Sequence, residues 1–414
     1  MSAPALAQID GPRLLASLQA LGQVGALPGG GVNRLALTDA DAQGRDWTVE
    51  RMRGLGLEVE VDAIGNIFGR MAGAEDVASV MMGSHIDTVR TGGLYDGNYG
   101  VLAALEVVAT LFDAGIQTRR PLTVAVFTNE EGARFQPDMM GSLVYAGGMP
   151  LPEALATRDA EGLTVQAELQ RIGYQGKACV GTPVVDSFVE LHIEQGPVLE
   201  QAGLQIGVVE GVQGISWTEF TVEGQSNHAG TTPMAMRHDA TLVAAQVTVH
   251  VRELSARMGA RQLATVGAVR LSPNLVNVIS HKAVFTVDLR NTDSAALAQA
   301  EAEVQAFALR AAQAEGVRLH SRSLARFEPV AFAPGVIDLV EQQAAAMGYT
   351  HMRMPSGAGH DAQMLARVCP SAMIFVPSAG GLSHNVREHT EPVDLLRGAQ
   401  LLLQVVVALA NRSS

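Results

Sequence analysis

Four apolar runs in this chain stop abruptly at polar chemistry. They are VASVMMGSH (77–85), LTVAVFTNEEGARF (122–135), VVDSFVELHI (184–193) and MIFVPS (373–378), the last followed by GGLSH (380–384). The first two, apolar with no polar alternation before their ends, predict strands buried on both faces. Between them the pattern shifts to helical spacing over 99–114 and, earlier, over 8–22 and from Thr38 to Leu55, with Thr38 and Asp41 placed as an N-terminal cap. A Gly-rich turn spans Pro28–Gly31, and LEVEVDAIGNIFGRM predicts strands on either side of Asn66. Strand, polar loop, helix, strand is the order of a mostly parallel sheet covered by helices. Such α/β sheets take their ligands outside the carboxyl ends of the strands.

The middle of the chain changes period. WTEFTVEG (217–224), LATVGAVRL (263–271) and AVFTVDLRN (283–291) read as strands with one exposed face. Helical intervals cover 239–258 and 295–315, and a final strand is expected near 317–321. The order describes a compact α+β unit. From about 335 the chain returns to helix, the MIFVPS strand and a last helix over 392–409. The expected architecture is an α/β, mostly parallel-sheet domain built from 1–213 and 328–414, interrupted by a smaller inserted α+β domain at 214–327.

A length of 414 residues suits two domains. The formal charge of −13 argues against nonspecific binding to nucleic acid or to an anionic membrane. The apolar stretches read as interrupted before membrane-spanning length, and no signal-peptide pattern opens the chain, so the expectation is a cytoplasmic protein. Cys179 and Cys369 are too few and too far apart for a disulfide scaffold or a thiolate zinc site.

The strand ends carry candidate chemistry. Adjacent residues of a strand point to opposite faces, so Glu130 and Glu131 at a strand tip can do different work, one holding a metal and the other a proton. His85 ends another strand, with Asp87 spaced to accept its ring N–H and fix the tautomer. Asp96 lies between the Gly92-Gly93 turn and Gly97, where its carboxylate can bridge two ions. His192 and His384 complete a set of imidazoles and carboxylates suited to Zn, Mn, Co or Ni. Taken singly, each has a plainer reading: a solvated Glu pair, a satisfied histidine, an Asp turn. Placement at the ends of strands in one sheet is what joins them.

Eight ordered blocks then carry a resemblance: SHIDTVRTGGLYDGNYGVL, TNEEGARF, HIEQGPVLE, NHAGTTPMAMRHDA, PNLVNVI, DLRN, PSGAGHDAQ and FVPSAGGLSHNVRE. Together they resemble the amidase/hydantoinase–carbamoylase branch of the zinc aminoacylase-type metallopeptidases, over about residues 28–394. That branch includes N-carbamoyl-L-amino acid hydrolases, allantoate amidohydrolases and β-ureidopropionases. The resemblance implies a two-metal amidohydrolase with His85, Asp96, Glu131, His192 and His384 as ligands, Asp96 bridging, and Glu130 as general base. It makes His228 the oxyanion donor, and Asn277 and Arg290 the clamp on a substrate carboxylate. Gln195, Gly359 and His360 would frame the carbamoyl end, with Asp361 orienting His360 or starting a helix. The plainer role for Arg290 is an ion pair with Asp288 or Asp293. Two divalent ions per subunit are implied, Zn foremost, with Mn, Co or Ni as alternatives. Also implied are a small ureido-acid substrate, domain closure about hinges near Gly211–Gly214 and Phe327–Pro329, and a homodimer through the inserted domain. The expected reaction is hydrolysis of N-carbamoyl-L-amino acids. Allantoate or a β-ureido acid is the alternative substrate, with an aminoacylase or peptidase, or a non-catalytic metal protein, ranked lower.

Overall fold

The computed structural model describes residues 7–412; the outer limits of the expected terminal segments, 1 and 414, lie outside that range. The chain divides into two compact units. One comprises the chain up to Gly211 together with everything from Ala331, and the other is Val212–Val330.

The first unit holds strands β1 (Glu58–Val61), β2 (Ile67–Met71), β3 (Ser79–His85), β4 (Leu122–Phe127), β5 (Val185–Ile193) and β6 (Ile206–Val212). The second unit contributes β7 (Gly214–Glu223), β8 (Leu263–Ser272), β9 (Lys282–Asn291) and β10 (Arg318–Phe327). After it come β11 (Val330–Ala331), β12 (His351–Ser356) and β13 (Ser371–Val376). Helices α1 (Gly11–Leu21), α2 (Asp39–Gly54), α3 (Asn98–Asp113), α4 (Met140–Tyr145), α5 (Leu151–Ala156), α6 (Val165–Arg171) and α7 (Val198–Ala202) precede α8 (Ala240–Met258) and α9 (Ser294–Glu315) of the second unit. The chain closes with α10 (Pro334–Ala346), α11 (Asp361–Leu365) and α12 (Pro392–Asn411).

The large sheet runs β1-β2-β4-β3-β5-β13-β6-β11, with β12 also paired to β6. Its centre, β4-β3-β5-β13, is parallel, and the β1-β2, β2-β4 and β13-β6 pairs are antiparallel. β3, β4 and β13 are buried at every position, as expected of strands covered on both faces. His85 is the last residue of β3 and His192 the penultimate residue of β5, so two imidazoles emerge at the carboxyl edge of neighbouring parallel strands. Thr38 caps α2 by accepting from the Asp41 amide.

One expectation needs correction. The apolar stretches are not all interrupted early: α12 has 20 residues and a mean hydropathy of 1.6, enough by length and composition to cross a membrane. Its charges, Asp394 and Arg397, sit in the first turns, leaving an unbroken run from Gly398. The helix is instead a core element, with Leu401, Leu402, Leu403, Val405 and Val406 buried.

In the second unit, an antiparallel sheet of order β10-β7-β9-β8 carries α8 and α9. β9 alternates buried and half-buried positions throughout, the period-2 pattern of a sheet covered on one face. Phe220 of β7 and Phe285 of β9 stack with centroids 5.3 Å apart at the middle of its core. Opposite them lie Val243, Val247, Val251 and Leu254 of α8, and Ala300, Val304 and Ala308 of α9. The final strand extends past its expected end to Phe327.

Candidate active site

At the carboxyl edge of the parallel strands the first unit gathers two ligand clusters around one carboxylate. His85, Asp96 and His192 form one, and Asp96, Glu131 and His384 the other, with the ligand atoms of each within 4.8 Å of one another. The two oxygens of Asp96 face different clusters. Oδ1 lies 3.7 Å from His85 Nε2 and 3.3 Å from His192 Nε2, while Oδ2 lies 3.3 Å from His384 Nε2. Glu131 Oε2 is 3.2 Å from the same His384 nitrogen. Glu130 stands beside the first cluster, Oε2 3.4 Å from His85 Nε2.

The turn that delivers Asp96 requires glycine. Gly97 has φ 65, and a Cβ there would overlap the His85 imidazole. The same close approach aims the Gly97 amide at His192 Nε2, 3.1 Å away. His192 Nδ1 faces the Ile193 carbonyl at 2.9 Å and His85 Nδ1 the Asp87 carbonyl at 2.9 Å. Each Nδ1 therefore carries the proton and each Nε2 offers its lone pair inward, the tautomer of a metal-binding imidazole.

The structure corrects the part given to Asp87. Its carboxylate does not take the His85 proton, because Oδ1 is 3.9 Å from Nδ1 and the main-chain carbonyl of the same residue occupies that place. The Asp87 carboxylate instead accepts from the amides of Glu130 and Glu131, at 3.2 and 3.3 Å. It thereby fixes the backbone that carries both glutamates. Their divergence is not strand alternation either: β4 ends at Phe127, and Asn129 turns the chain with φ 55 before the pair begins.

Gln195, at φ 59, donates from Nε2 to Asp96 Oδ2 at 2.9 Å and lies 3.3 Å from Ser383 Oγ. A carboxylate can only accept, so the amide nitrogen must face Asp96, and Oε1 is left buried with no partner. His360 packs edge-on against His192, centroids 4.6 Å apart. Ser356 Oγ donates to the Ala358 carbonyl and stands 2.9 Å from His360 Nε2. His360 is accordingly the donor there, and burial holds its ring neutral, well below the usual histidine range. Asp361 does not orient His360; it begins α11 with both carboxylate oxygens buried and unpartnered. Gly359 lies against the terminal sulfur and methyl of Met139, which would have to shift to admit a side chain.

The second unit places the other three candidates. His228 Nδ1 accepts from the amides of Gly230 and Thr231, and the Asn277 carbonyl accepts from the Ala229 amide, so His228 and Asn277 share one loop cluster. Arg290 is elsewhere. Glu223 pairs with Lys282 at the loop end of the sheet, and Ile215 pairs with Arg290 at the other. Eight residues of strand separate Lys282 from Arg290, about 26 Å at roughly 3.3 Å per residue. The Arg290 guanidinium contacts the Asp288 carboxylate at 3.0 to 3.2 Å, the plainer pairing expected of it.

Sequence reasoning passed over two buried carboxylates, Glu190 and Glu388. Glu190 accepts from the Ser84 hydroxyl at 2.6 Å and the Ala362 amide at 2.8 Å. It lies two residues before His192 on the same strand, so an acid inside the run VELHI was a visible signal. Glu388 had none beyond membership of its block.

Electrostatics divide these groups sharply. Burial pushes Asp87 up to about 8, aided by the charges of Asp41 and Glu131. Burial drives Glu130 well above the carboxylate range, reinforced by Asp361, Glu131, Asp96 and Asp87. His85 falls to about 4 through burial and is neutral. Burial also lowers His192, but the hydrogen bond and charge of Asp96 outweigh it and point to about 9. The fixed Gly97 amide facing Nε2 opposes a proton on that atom, and the neutral ring satisfies both of its contacts. His384 is held up to about 11 by hydrogen bonds to Asp96 and Glu131. Among these three histidines it therefore carries the proton at neutral pH. A metal ion needs that lone pair, so zinc binding to the metal-free protein at pH 7.5 is expected to release protons, that of His384 among them. Release should fade as the pH rises through 11, because the ring is then already neutral. Calorimetric titration in buffers of different ionisation enthalpy measures it; zero release at pH 7.5 would contradict the assignment.

The donor set fits divalent cations of the zinc type: neutral imidazoles, carboxylates, no thiolate, and one carboxylate facing both clusters. The profile of the family described as Peptidase family M20/M25/M40 matches residues 81–408. N-carbamoyl-L-amino-acid amidohydrolase of Rhizobium meliloti is 41% identical over 405 residues, covering 98% of this chain and 97% of its own. Allantoate amidohydrolase of Bacillus subtilis is 34% identical over 394 residues, covering 94% and 95%. The crystal structure of an amidase of the hydantoinase/carbamoylase family from Burkholderia multivorans superposes with a TM-score of 0.96 at 44% identity, covering 99% of this chain and all of that one.

Proposed function

The chain belongs to peptidase family M20/M25/M40, whose enzymes are metal-dependent hydrolases, and from that premise we propose that it hydrolyses N-carbamoyl-L-amino acids. The observation that carries the reading is the placement of Glu130 and the unpartnered Gln195 amide oxygen beside two ligand clusters sharing Asp96. The reaction consumes one water and breaks one carbamoyl C–N bond, and the carbamate left behind loses its remaining C–N bond as it falls apart, so the products are the amino acid, ammonia and carbon dioxide.

In this reading His85, His192 and Asp96 hold one ion, and Glu131, His384 and Asp96 the other. Zinc is favoured by the nitrogen-rich set, and Mn or Co remain compatible with its oxygens. Ions held by these residues would supply positive charge to polarise a carbonyl and to lower the pKa of a water. Glu130 then takes the water proton at a carboxylate oxygen and delivers it to the leaving nitrogen. A group that acts first as base and then as acid works best near the operating pH, and the burial that raises Glu130 opposes the lowering that two cations would cause. The Asp87 carboxylate keeps both glutamates on station through their amides.

Substrate recognition follows from unsatisfied groups. Gln195 Oε1 is an acceptor looking for a donor, and a carbamoyl NH2 supplies one where an acetyl methyl cannot. Arg290, held by the Asp288 carboxylate, would grip the substrate carboxylate through its guanidinium. His228 would donate to the developing oxyanion from Nε2, its Nδ1 being engaged by two amides. Arg290 lies at one end of β9, and Asn277 with His228 at the other, too far apart for one small substrate to span. That separation supports a homodimer in which His228 and Asn277 serve the partner's substrate.

The test is a panel of N-carbamoyl-L-methionine, its D-enantiomer, N-carbamoyl-β-alanine, allantoate, N-acetyl-L-methionine and a methionyl dipeptide, assayed after loading with Zn, Mn or Co. The L-carbamoyl compound should exceed the acetyl compound in kcat/KM by at least about 100-fold, since the acetyl group leaves Gln195 unpaired. Preference for the acetyl compound or the dipeptide would overturn the proposal, and preference for allantoate would make allantoate the substrate instead.

A further inference from the structure

We propose that Glu388 is a positioning residue that holds the His384 half of the centre against the Asp96 half. The inference rests on the two-ion reading above, though not on the identity of the substrate. His384 differs from the other ligands. Its side chain is 52% exposed whereas those of His85, His192, Asp96 and Glu131 are between 1% and 5% exposed. It also sits at φ 53 on a loop rather than at a strand end. A half-exposed ligand on a left-handed loop residue needs an external anchor to keep one position.

Glu388 supplies that anchor. Its carboxylate is buried, and Oε1 accepts from the amides of Tyr95 and Asp96 at 3.0 and 3.2 Å. Oε2 accepts from the Ser383 hydroxyl at 2.9 Å. One carboxylate thus ties the backbone of the bridging Asp96 to the residue just before His384, across more than 280 positions of sequence. The Gly92-Gly93 turn is shaped to admit it, since a Cβ on Gly93 would overlap the Glu388 carboxylate. Ser383 Oγ is also 3.1 Å from Asp96 Oδ2. The hydroxyl has one proton for two acceptors. Directed to Glu388, it leaves the Asp96 Oδ2 lone pairs to the Gln195 amide and to a cation. Directed to Asp96, it competes with that cation.

The substitutions separate these effects. Glu388→Ala removes the tie to the His384 loop. Glu388→Gln keeps an acceptor for the two amides but presents NH2 to Ser383, turning the serine proton onto Asp96. Ions per chain are counted after dialysis by elemental analysis, and the affinities are measured by zinc titration of the metal-free protein. Wild type should bind two ions. E388A should keep one at wild-type affinity and bind the other at least 10-fold more weakly, with E388Q between the two. E388Q should melt, metal-free, within about two degrees of wild type. Two ions at wild-type affinity in E388A would overturn the proposal. So would equal weakening of both ions, which is what a general loss of packing predicts. If E388A does not fold, E388Q carries the decision: selective weakening of one ion supports the role, and unchanged or equal affinities refute it. A wild-type chain that binds fewer than two zinc ions at saturation would remove the two-ion reading itself. Loss of activity towards every ureido acid, with the ion pattern intact, would remove only the substrate assignment.

Discussion

Replacing Glu130 with Gln is expected to lower kcat about 1,000-fold while both ions stay bound. Gln matches the shape of Glu and can still accept a hydrogen bond, but it cannot carry a proton from water to a leaving nitrogen. A positioned acid–base group contributes about 100- to 10,000-fold, so the middle of that range corresponds to about 4 kcal/mol of barrier. KM should change little, because Glu130 acts on the water rather than on the substrate's recognition groups. The fold should not suffer. Burial and four neighbouring carboxylates hold Glu130 well above its ordinary pKa, so the folded chain binds this proton more readily than the unfolded one. Stability therefore falls as the pH rises from the ordinary glutamate range through the raised value, and at pH 8 the metal-free wild type bears the cost of ionising this group. Gln is never ionised, so metal-free E130Q should melt no lower than wild type at pH 8. Loss of an ion from E130Q, or a kcat within threefold of wild type, would show that Glu130 is not the proton carrier.

What could be read from the sequence follows the range of the interaction. β3, β4 and α3 announce themselves because a continuous apolar run or a helical stripe is local, and β9 alternates almost ideally because only one face of its sheet is covered. β11 and β12 lie at the margin of the large sheet, and the first is too short to leave a pattern. α12 was legible as a helix over 392–409, because its apolar stripe is local, and it runs over Pro392–Asn411. At the site, residue types at strand ends were legible, but the atoms they use were not. Asp87 was found, yet its carbonyl meets His85 and its carboxylate meets the glutamate backbone, a division set by the loop's path. Glu388 was invisible for a different reason. Its partners Tyr95 and Asp96 lie more than 290 positions away, and no local spacing encodes a bond of that kind.

Replacing Asp96 with Asn should cost more than any other single change in the centre: one ion weakened by more than 100-fold, and turnover reduced to the level of the metal-depleted protein. The carboxylate serves both clusters because each oxygen is anionic and faces its own histidines, Oδ1 toward His85 and His192, Oδ2 toward His384. Asn keeps only one oxygen, so one cluster must receive an NH2. The surroundings decide which. Gln195 Nε2 approaches Oδ2 as a donor at 2.9 Å and requires an acceptor there. The amide nitrogen is therefore forced onto the Oδ1 side, against His85 Nε2 and His192 Nε2, where it can neither ligate a cation nor relieve its charge. The His85–His192 ion should be the one lost, and the loss should exceed the 10- to 100-fold that removal of an outer hydrogen-bond partner costs a metal site. D96N and E388A would then empty opposite halves of the centre. Each should retain one ion after dialysis, and the double variant should retain none. Two ions in dialysed D96N would mean that Asp96 bridges nothing, and one ion in the double variant would mean that both substitutions act on the same half.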